Sequence, residues 1–308
     1  MNMIVREFPE IAVQDFLRAS SFWTPQHCVP SAWVGHAPFA YWLVNVLKPR
    51  NIVELGVHCG FSFLVFCQAV KKMGSDCQCI GIDTWKGDEH AGFYEESVYD
   101  NLLVHRQPYA STSRLIRSTF DAAQPQFADG SIDLLHIDGR HRYEDVRSDF
   151  ENWKPKLSKR AVVLFHDTNE ASFGVSRFWN ELAADYPHFE FKHAHGLGVL
   201  SVGSDLPVQL QQLFELTELG DLSNSVRDAY EQLGNAVING QEVQRLTASI
   251  NAYQTSTSWR LTAPLRLALR LMKSAASRLQ PTLTPRPKRS APVPALVLVG
   301  KDVRQVRC

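Results

Sequence analysis

Two histidine–aspartate pairs stand at the ends of apolar runs in this 308-residue chain. "SIDLLHIDGRHRYED" (131–145) carries Asp138 with His136 and His141, and "AVVLFHDT" (161–168) carries His166 and Asp167. Two carboxylates plus waters suit Mg²⁺ or a similar divalent cation, and Asn169 or Glu170 could complete the ligand set. The same groups can instead move a proton. His141, three residues after Asp138, is a candidate base; His166 is another, although it precedes Asp167 and can face the other way. The plainer reading is a charged loop whose acids pair with Arg140 and Arg142. Glu144 and Asp145 would then be first-turn helix acids, favoured there by the helix dipole.

For two carboxylates to meet, the elements before them must lie side by side. "NIVELGV", "CQCIGIDTW", "TSRLIRSTF", "SIDLLHIDG" and "RAVVLFHDT" are short β-branched runs that read as five strands. Helical segments separate several of them, including "FSFLVFCQAVKKMG" and "YEDVRSDFENWKPKL". "HFEFKHAHGLGVLSVG" reads as two strands joined at Gly196-Leu197-Gly198. This alternation predicts an α/β fold, a doubly wound sheet closed by an antiparallel hairpin. Such a sheet delivers Asp138 and Asp167 to one crevice at its carboxyl end.

"VELGVHCGFS" (53–62) joins the first strand to its helix. Gly56 and Gly60 allow a tight turn, and the helix beginning near Ser62 offers free N–H groups to a ligand. The pattern is not G-x-G-x-x-G, which disfavours an NAD-linked oxidoreductase. "GIDTW" sets Asp83 at the end of the second strand, within reach of a ribose, and Trp85 where it can face an adenine ring. Asp83 as a simple cap of the next segment is the alternative.

Together "VELGVHCGFS", "GIDTW", "DGSIDLLHIDGRHRYEDVRSDFENW", "VVLFHDT" and "GLGVLSVG" resemble class I S-adenosylmethionine-dependent methyltransferases over about residues 35–203. They are most similar to the group that includes sugar and macrolide O-methyltransferases of bacterial surface-polysaccharide biosynthesis. The resemblance implies S-adenosylmethionine as cofactor and a hydroxyl of a sugar, glycan or related metabolite as acceptor. It gives Glu54, Gly56, Gly60, Ser62, Asp83 and Trp85 to cofactor binding, with Ser118 near the adenine and Asp138 also in contact. Asp138, His141 and Asp167 take the catalytic roles, and Asp138 and Asp167 those of metal ligands. His58 stands where many such enzymes carry a middle glycine.

Residues 1–34 are expected to form a cap over a methyltransferase domain at 35–204. Leucines at three- and four-residue spacing then predict a helical hairpin or imperfect coiled coil at 206–255, interrupted at Gly220, Gly234 and Gly240 and able to carry a homo-oligomer. "SWRLTAPLRLALRLMKSAASRL" (258–279) is a basic amphipathic helix, and 280–308 a Pro-rich tail expected to be disordered. The net charge of zero conceals a segment of +10 from Ser256 onward against −10 before it. That asymmetry points to an anionic membrane surface or a docking partner. No nucleic-acid module accompanies it, so no nucleic acid is expected. "STSWRLTAPLR" resembles a short motif of bacterial polysaccharide-assembly enzymes.

Six cysteines without C-x-x-C pairing, an early acid and no apolar run of about 18 residues lead to an expected cytoplasmic protein, possibly peripheral at the inner membrane face. A non-catalytic scaffold that recruits glycosyltransferases is the competing function.

Overall fold

The structure, a computed structural model, describes residues 11–29, 31–88 and 92–279. The Pro-rich tail and the first ten residues of the expected cap lie outside them. Seven strands form one sheet: β1 (Asn51–Leu55), β2 (Gln78–Asp83), β3 (Ser113–Arg117), β4 (Ile132–Ile137), β5 (Leu157–His166), β6 (His188–Phe191) and β7 (Leu197–Ser201). Their order is β3-β2-β1-β4-β5-β7-β6. The first five run parallel, while β7 pairs antiparallel with both β5 and β6. The doubly wound sheet with a closing antiparallel hairpin is therefore present. The strand order reverses between β1 and β4, which opens a crevice beyond their carboxyl ends.

Apart from the edge strand β3, the parallel strands are buried on both faces, which is why they read as apolar runs without polar alternation. Along β5, Val162 and Leu164 enter one core while Val163 and Phe165 enter the other. The first core takes α1 (Ala37–Leu47) and α2 (Phe61–Met73), with Trp33, Trp42 and Phe66. The second takes α4 (Tyr143–Trp153) and α5 (Gly174–Asp185), with Phe150, Trp153 and Trp179. Between β2 and β3 lies α3 (Glu96–Arg106). Successive side chains on a strand face opposite ways, so Glu54 on β1 and His136 on β4 point into the first core beside apolar residues.

The helical region divides differently from the sequence expectation. Compact units run from Met1 to Leu246 and from Thr247 to Cys308. Leu210, Leu213, Val226 and Tyr230, from α6 (Val208–Glu215) and α7 (Gly220–Thr255), are buried in the first unit. The expected interruptions at Gly234 and Gly240 do not occur: α7 continues through both. A glycine inside a helix costs about 1 kcal/mol, and Gly234 has a packing reason to be there. A Cβ on it would stand 2.3 Å from the carbonyl oxygen of Gly35. In the second unit α8 (Thr257–Leu261) and α9 (Ala263–Leu279) break next to Pro264.

Candidate active site

The turn after β1 is pinned from three sides. Gly56 N–H donates to the Ile82 carbonyl at 3.0 Å, and Asp138 N–H to the Leu55 carbonyl at 2.9 Å. Asp83 Oδ2 accepts from the N–H groups of Val57 and His58, both at 2.9 Å, and its Oδ1 from Trp85 N–H at 2.7 Å. Gly56 has φ +90 and Gly60 φ +81, a region that suits glycine. His58, in place of the middle glycine, adopts φ +50 and stacks its ring on Tyr94 at 4.6 Å. The side chain is accommodated outside the turn rather than within it.

Glu54 sits behind this turn without solvent exposure. Its Oε1 accepts from Ser62 Oγ–H, at the start of α2, and from His136 Nδ1–H at 3.1 Å. His136 Nε2 in turn accepts from Trp33 Nε1–H at 3.1 Å. A donor on Nε2 requires the neutral tautomer with its proton on Nδ1. Burial pushes the Glu54 carboxyl up, against the opposing pull of His136 and Ser62. Its second oxygen, Oε2, has no hydrogen-bond partner among the described residues.

A cavity of about 750 Å³ opens over these elements. Gly56, Gly60, Ser62, Asp83, Asp138, His141 and Asp167 line it, as do Trp33, Thr119, Asp121, Asp149 and His166. Three expected site residues do not. Glu54 reaches it through Ser62 and, by way of His136, through Trp33. Trp85 presents no ring to the cavity: it is 1% exposed, has φ +51, packs on Tyr99 and donates its Nε1–H to the His58 carbonyl. Its observed contacts brace the turn. Ser118 gives its N–H to the Asp83 carbonyl, and the next residues, Thr119 to Asp121, line the cavity instead.

The two carboxylates meet as strand adjacency requires. Oxygens of Asp138 and Asp167 and a nitrogen of His141 lie within 4.8 Å of one another. His141 Nε2 is 3.0 Å from Asp167 Oδ2 and 3.9 Å from Asp138 Oδ1, and its ring stacks parallel on Phe173. His166 does not face away: the chain turns at Asp167, φ +62, and His166 Nδ1 stands 3.4 Å from Asp138 Oδ1 and 3.3 Å from Asp167 Oδ2. The other proposed ligands are engaged elsewhere. Asn169 donates to the Lys192 carbonyl, and Glu170 pairs with His195 at 2.6 Å. Arg142 pairs with Asp145, so the plain charged-loop reading holds for that residue.

Burial alone would raise both acids, but the imidazoles hold Asp167 low and Asp138 well below the usual range. Against their own desolvation, His141 is pushed up to about 9 and His166 to about 10 by the same carboxylates. His141 therefore carries its proton at neutral pH in this arrangement and cannot act as a base until the carboxylate charge is otherwise engaged. The donor set, a few ångströms across and with both acids ionised, fits a divalent cation.

Sequence reasoning passed over Trp33 and Asp149. Trp33 carries no local signal. Asp149 stands four residues after Asp145 on one helix face, a spacing that brings like charges together. Burial, with Asp121 and Asp145 nearby, pushes its carboxyl up to about 7.

Residues 53–168 match the family model described as a methyltransferase domain. The uncharacterized protein y4gI of Sinorhizobium fredii is 54% identical over 185 residues, which are 59% of this chain and 20% of that protein. The chain thus spans a fifth of that relative's length. A methyltransferase from Geobacter sulfurreducens is 16% identical with a TM-score of 0.42, covering 56% of this chain and 80% of that one. The O-methyltransferase TomG of Streptomyces achromogenes, involved in tomaymycin synthesis and solved with SAM, is 14% identical with a TM-score of 0.42, over 63% and 100% of the two chains. The match runs from the turn after β1 through the second histidine–aspartate pair, so the part of the chain that lines the cavity is similar to a methyltransferase domain.

Proposed function

We propose that the protein transfers a methyl group from S-adenosylmethionine to a hydroxyl of a sugar, glycan or related metabolite, assisted by a divalent cation. One observation carries the reading: the carboxylates of Asp138 and Asp167, with His141, line the same cavity as the Gly56–Ser62 turn. When bound, the cofactor supplies an electrophilic methyl group and the cation lowers the pKa of an acceptor hydroxyl. The chain's own residues do the rest. The turn, held by Asp83 and backed by Glu54 and Ser62, fixes one end of the cavity. Asp83 Oδ1 accepts one backbone N–H and keeps a lone pair for a ribose hydroxyl. Asp138 and Asp167 hold their charge at neutral pH and would ligate the cation with His141. Seating donor and acceptor together in this cavity would be a positioning effect that needs no covalent enzyme intermediate. The sugar class rests on the sequence resemblance, to which "STSWRLTAPLR" adds. Calorimetric titration with S-adenosylmethionine and with NAD tests the cofactor. Labelled methyl transfer to candidate glycans, with and without EDTA, tests the chemistry. Binding of NAD alone would sink the reading.

The second unit supports attachment to an anionic membrane surface. Among the described residues no helix is long and apolar enough to cross a membrane. On α8 and α9, Leu261, Leu265, Leu269 and Met272 follow one face at three- and four-residue spacing, each more than half exposed. Arg266, Arg270 and Lys273 flank this face, about 80–140° round from Leu265 at 100° per residue. An apolar face of this kind buries into the interface while the bases meet lipid headgroups, each worth about 1 kcal/mol near the surface. Cosedimentation with vesicles containing phosphatidylserine should be lost in Leu265→Glu/Leu269→Glu. Retention by the double variant, or no pelleting of the unaltered chain, would rule this attachment out.

A further inference from the structure

We propose that His166 joins Asp138, Asp167 and His141 as a fourth ligand, in a mixed nitrogen–oxygen site that selects a first-row transition ion over magnesium. The inference rests on the reading of this cluster as a cation site and adds which ion it takes. His166 is 4% exposed, and its two ring nitrogens have different partners. Nε2 lies 3.1 Å from the Ala194 carbonyl oxygen, which can only accept, so Nε2 carries a proton and donates. Nδ1 is thereby turned toward both carboxylates, at 3.3 and 3.4 Å. What occupies Nδ1 can exchange: a proton in the ion-free cluster, a metal ion in the filled one.

The carbonyl that sets this orientation is itself held. Ala194 oxygen also accepts from His36 Nε2 at 3.1 Å, and His36 is fully buried. Ala194 at φ +47 and His195 at φ +69 are non-glycine residues in the left-handed region, a conformation that costs about 1–3 kcal/mol each and persists only where the surroundings enforce it. A backbone carbonyl that fixes one imidazole nitrogen so that the other faces outward is the common outer partner of a metal-ligating histidine. His141 Nε2 lies 3.0 Å from Asp167 Oδ2, so a nitrogen of each histidine faces that same oxygen. Magnesium prefers an octahedron of oxygens and keeps its waters. Imidazole nitrogen instead favours first-row transition ions, with affinity rising from manganese through iron to cobalt.

The test uses the full chain, stripped with chelator and then titrated with Co²⁺, Mn²⁺, Zn²⁺ and Mg²⁺ by calorimetry. The visible absorption of Co²⁺ reports nitrogen ligation, and S-adenosylmethionine affinity is measured in parallel. One transition ion should bind per chain, about 100-fold or more tighter than Mg²⁺, with His166→Gln weakening Co²⁺ at least about 10-fold and altering its spectrum. A circular dichroism spectrum and thermal melt matching those of the unaltered chain show that His166→Gln is folded. Mg²⁺ binding as tightly as Mn²⁺, a Co²⁺ spectrum and affinity unaffected by His166→Gln, or no ion bound at all would each overturn the proposal. Ion binding as stated without S-adenosylmethionine binding would leave this inference standing while the methyl-transfer reading fails.

Discussion

Replacing Asp167 by asparagine should lower the rate of methyl transfer about 10²–10⁴-fold, with the dissociation constant for S-adenosylmethionine moving less than about threefold. Asparagine is chosen because Asp167 has φ +62, and asparagine tolerates the left-handed region better than alanine does. Its amide keeps the side chain's shape and removes its charge. The loss falls on the acceptor side, since among the described residues the turn after β1 is held by Asp83 and not by Asp167. Asp138→Asn should behave alike in rate. It should also lower the affinity for whichever divalent ion the protein binds. Single-turnover rates and calorimetry on both variants check this. A rate within threefold of the unaltered protein in either would remove the carboxylates from the chemistry and favour a scaffold that binds cofactor without turnover.

Gly56→Ala should be strongly destabilising. The added Cβ would stand 2.1 Å from the backbone oxygen of Asp138 and 2.6 Å from its carbonyl carbon. Backbone cannot swing aside as a side-chain tip can. The same methyl would also sit on a residue with φ +90. Overpacking and backbone strain together should cost about 2–5 kcal/mol. Because the collision partner is Asp138 itself, the variant should lose cofactor affinity and cation affinity together. Gly60→Ala meets Leu102 Cδ1 at 2.3 Å, the movable end of a side chain, and should be milder in denaturant melts. Equal stability of the two variants would show that the approach of β1 and β4 at this point is not tight.

How far each feature could be read from sequence follows from the range of the interaction that creates it. The parallel strands were legible because burial on both faces forces β-branched runs. The Asp138–Asp167 pairing was legible because neighbouring parallel strands deliver their ends to one place. The inward turn of His166 was not, since it depends on φ at Asp167 and on a carbonyl 28 residues away. Trp85 looked like a ring for adenine because it follows a strand end. Its own positive φ turns it inward, which no local pattern announces. The chain from Trp33 through His136 to Glu54 crosses separations of 103 and 82 residues and leaves no trace in spacing. The glycines of α7 misled in the opposite way: propensity predicts a break, and contact between Gly234 and Gly35 offsets it.

The paired use of the Ala194 oxygen has a consequence for biosynthesis. β1, β2 and their turn are complete by residue 83, and β4 adds Asp138 soon after. The carbonyl that orients His166 emerges only with the closing hairpin, long after His36, which shares it. The wall of the cavity is thus sealed by a contact spanning 158 residues, whose loop closure is among the slower steps available to the chain. A nascent polypeptide therefore completes the turn after β1 before the group that orients His166 in the acid–imidazole cluster exists.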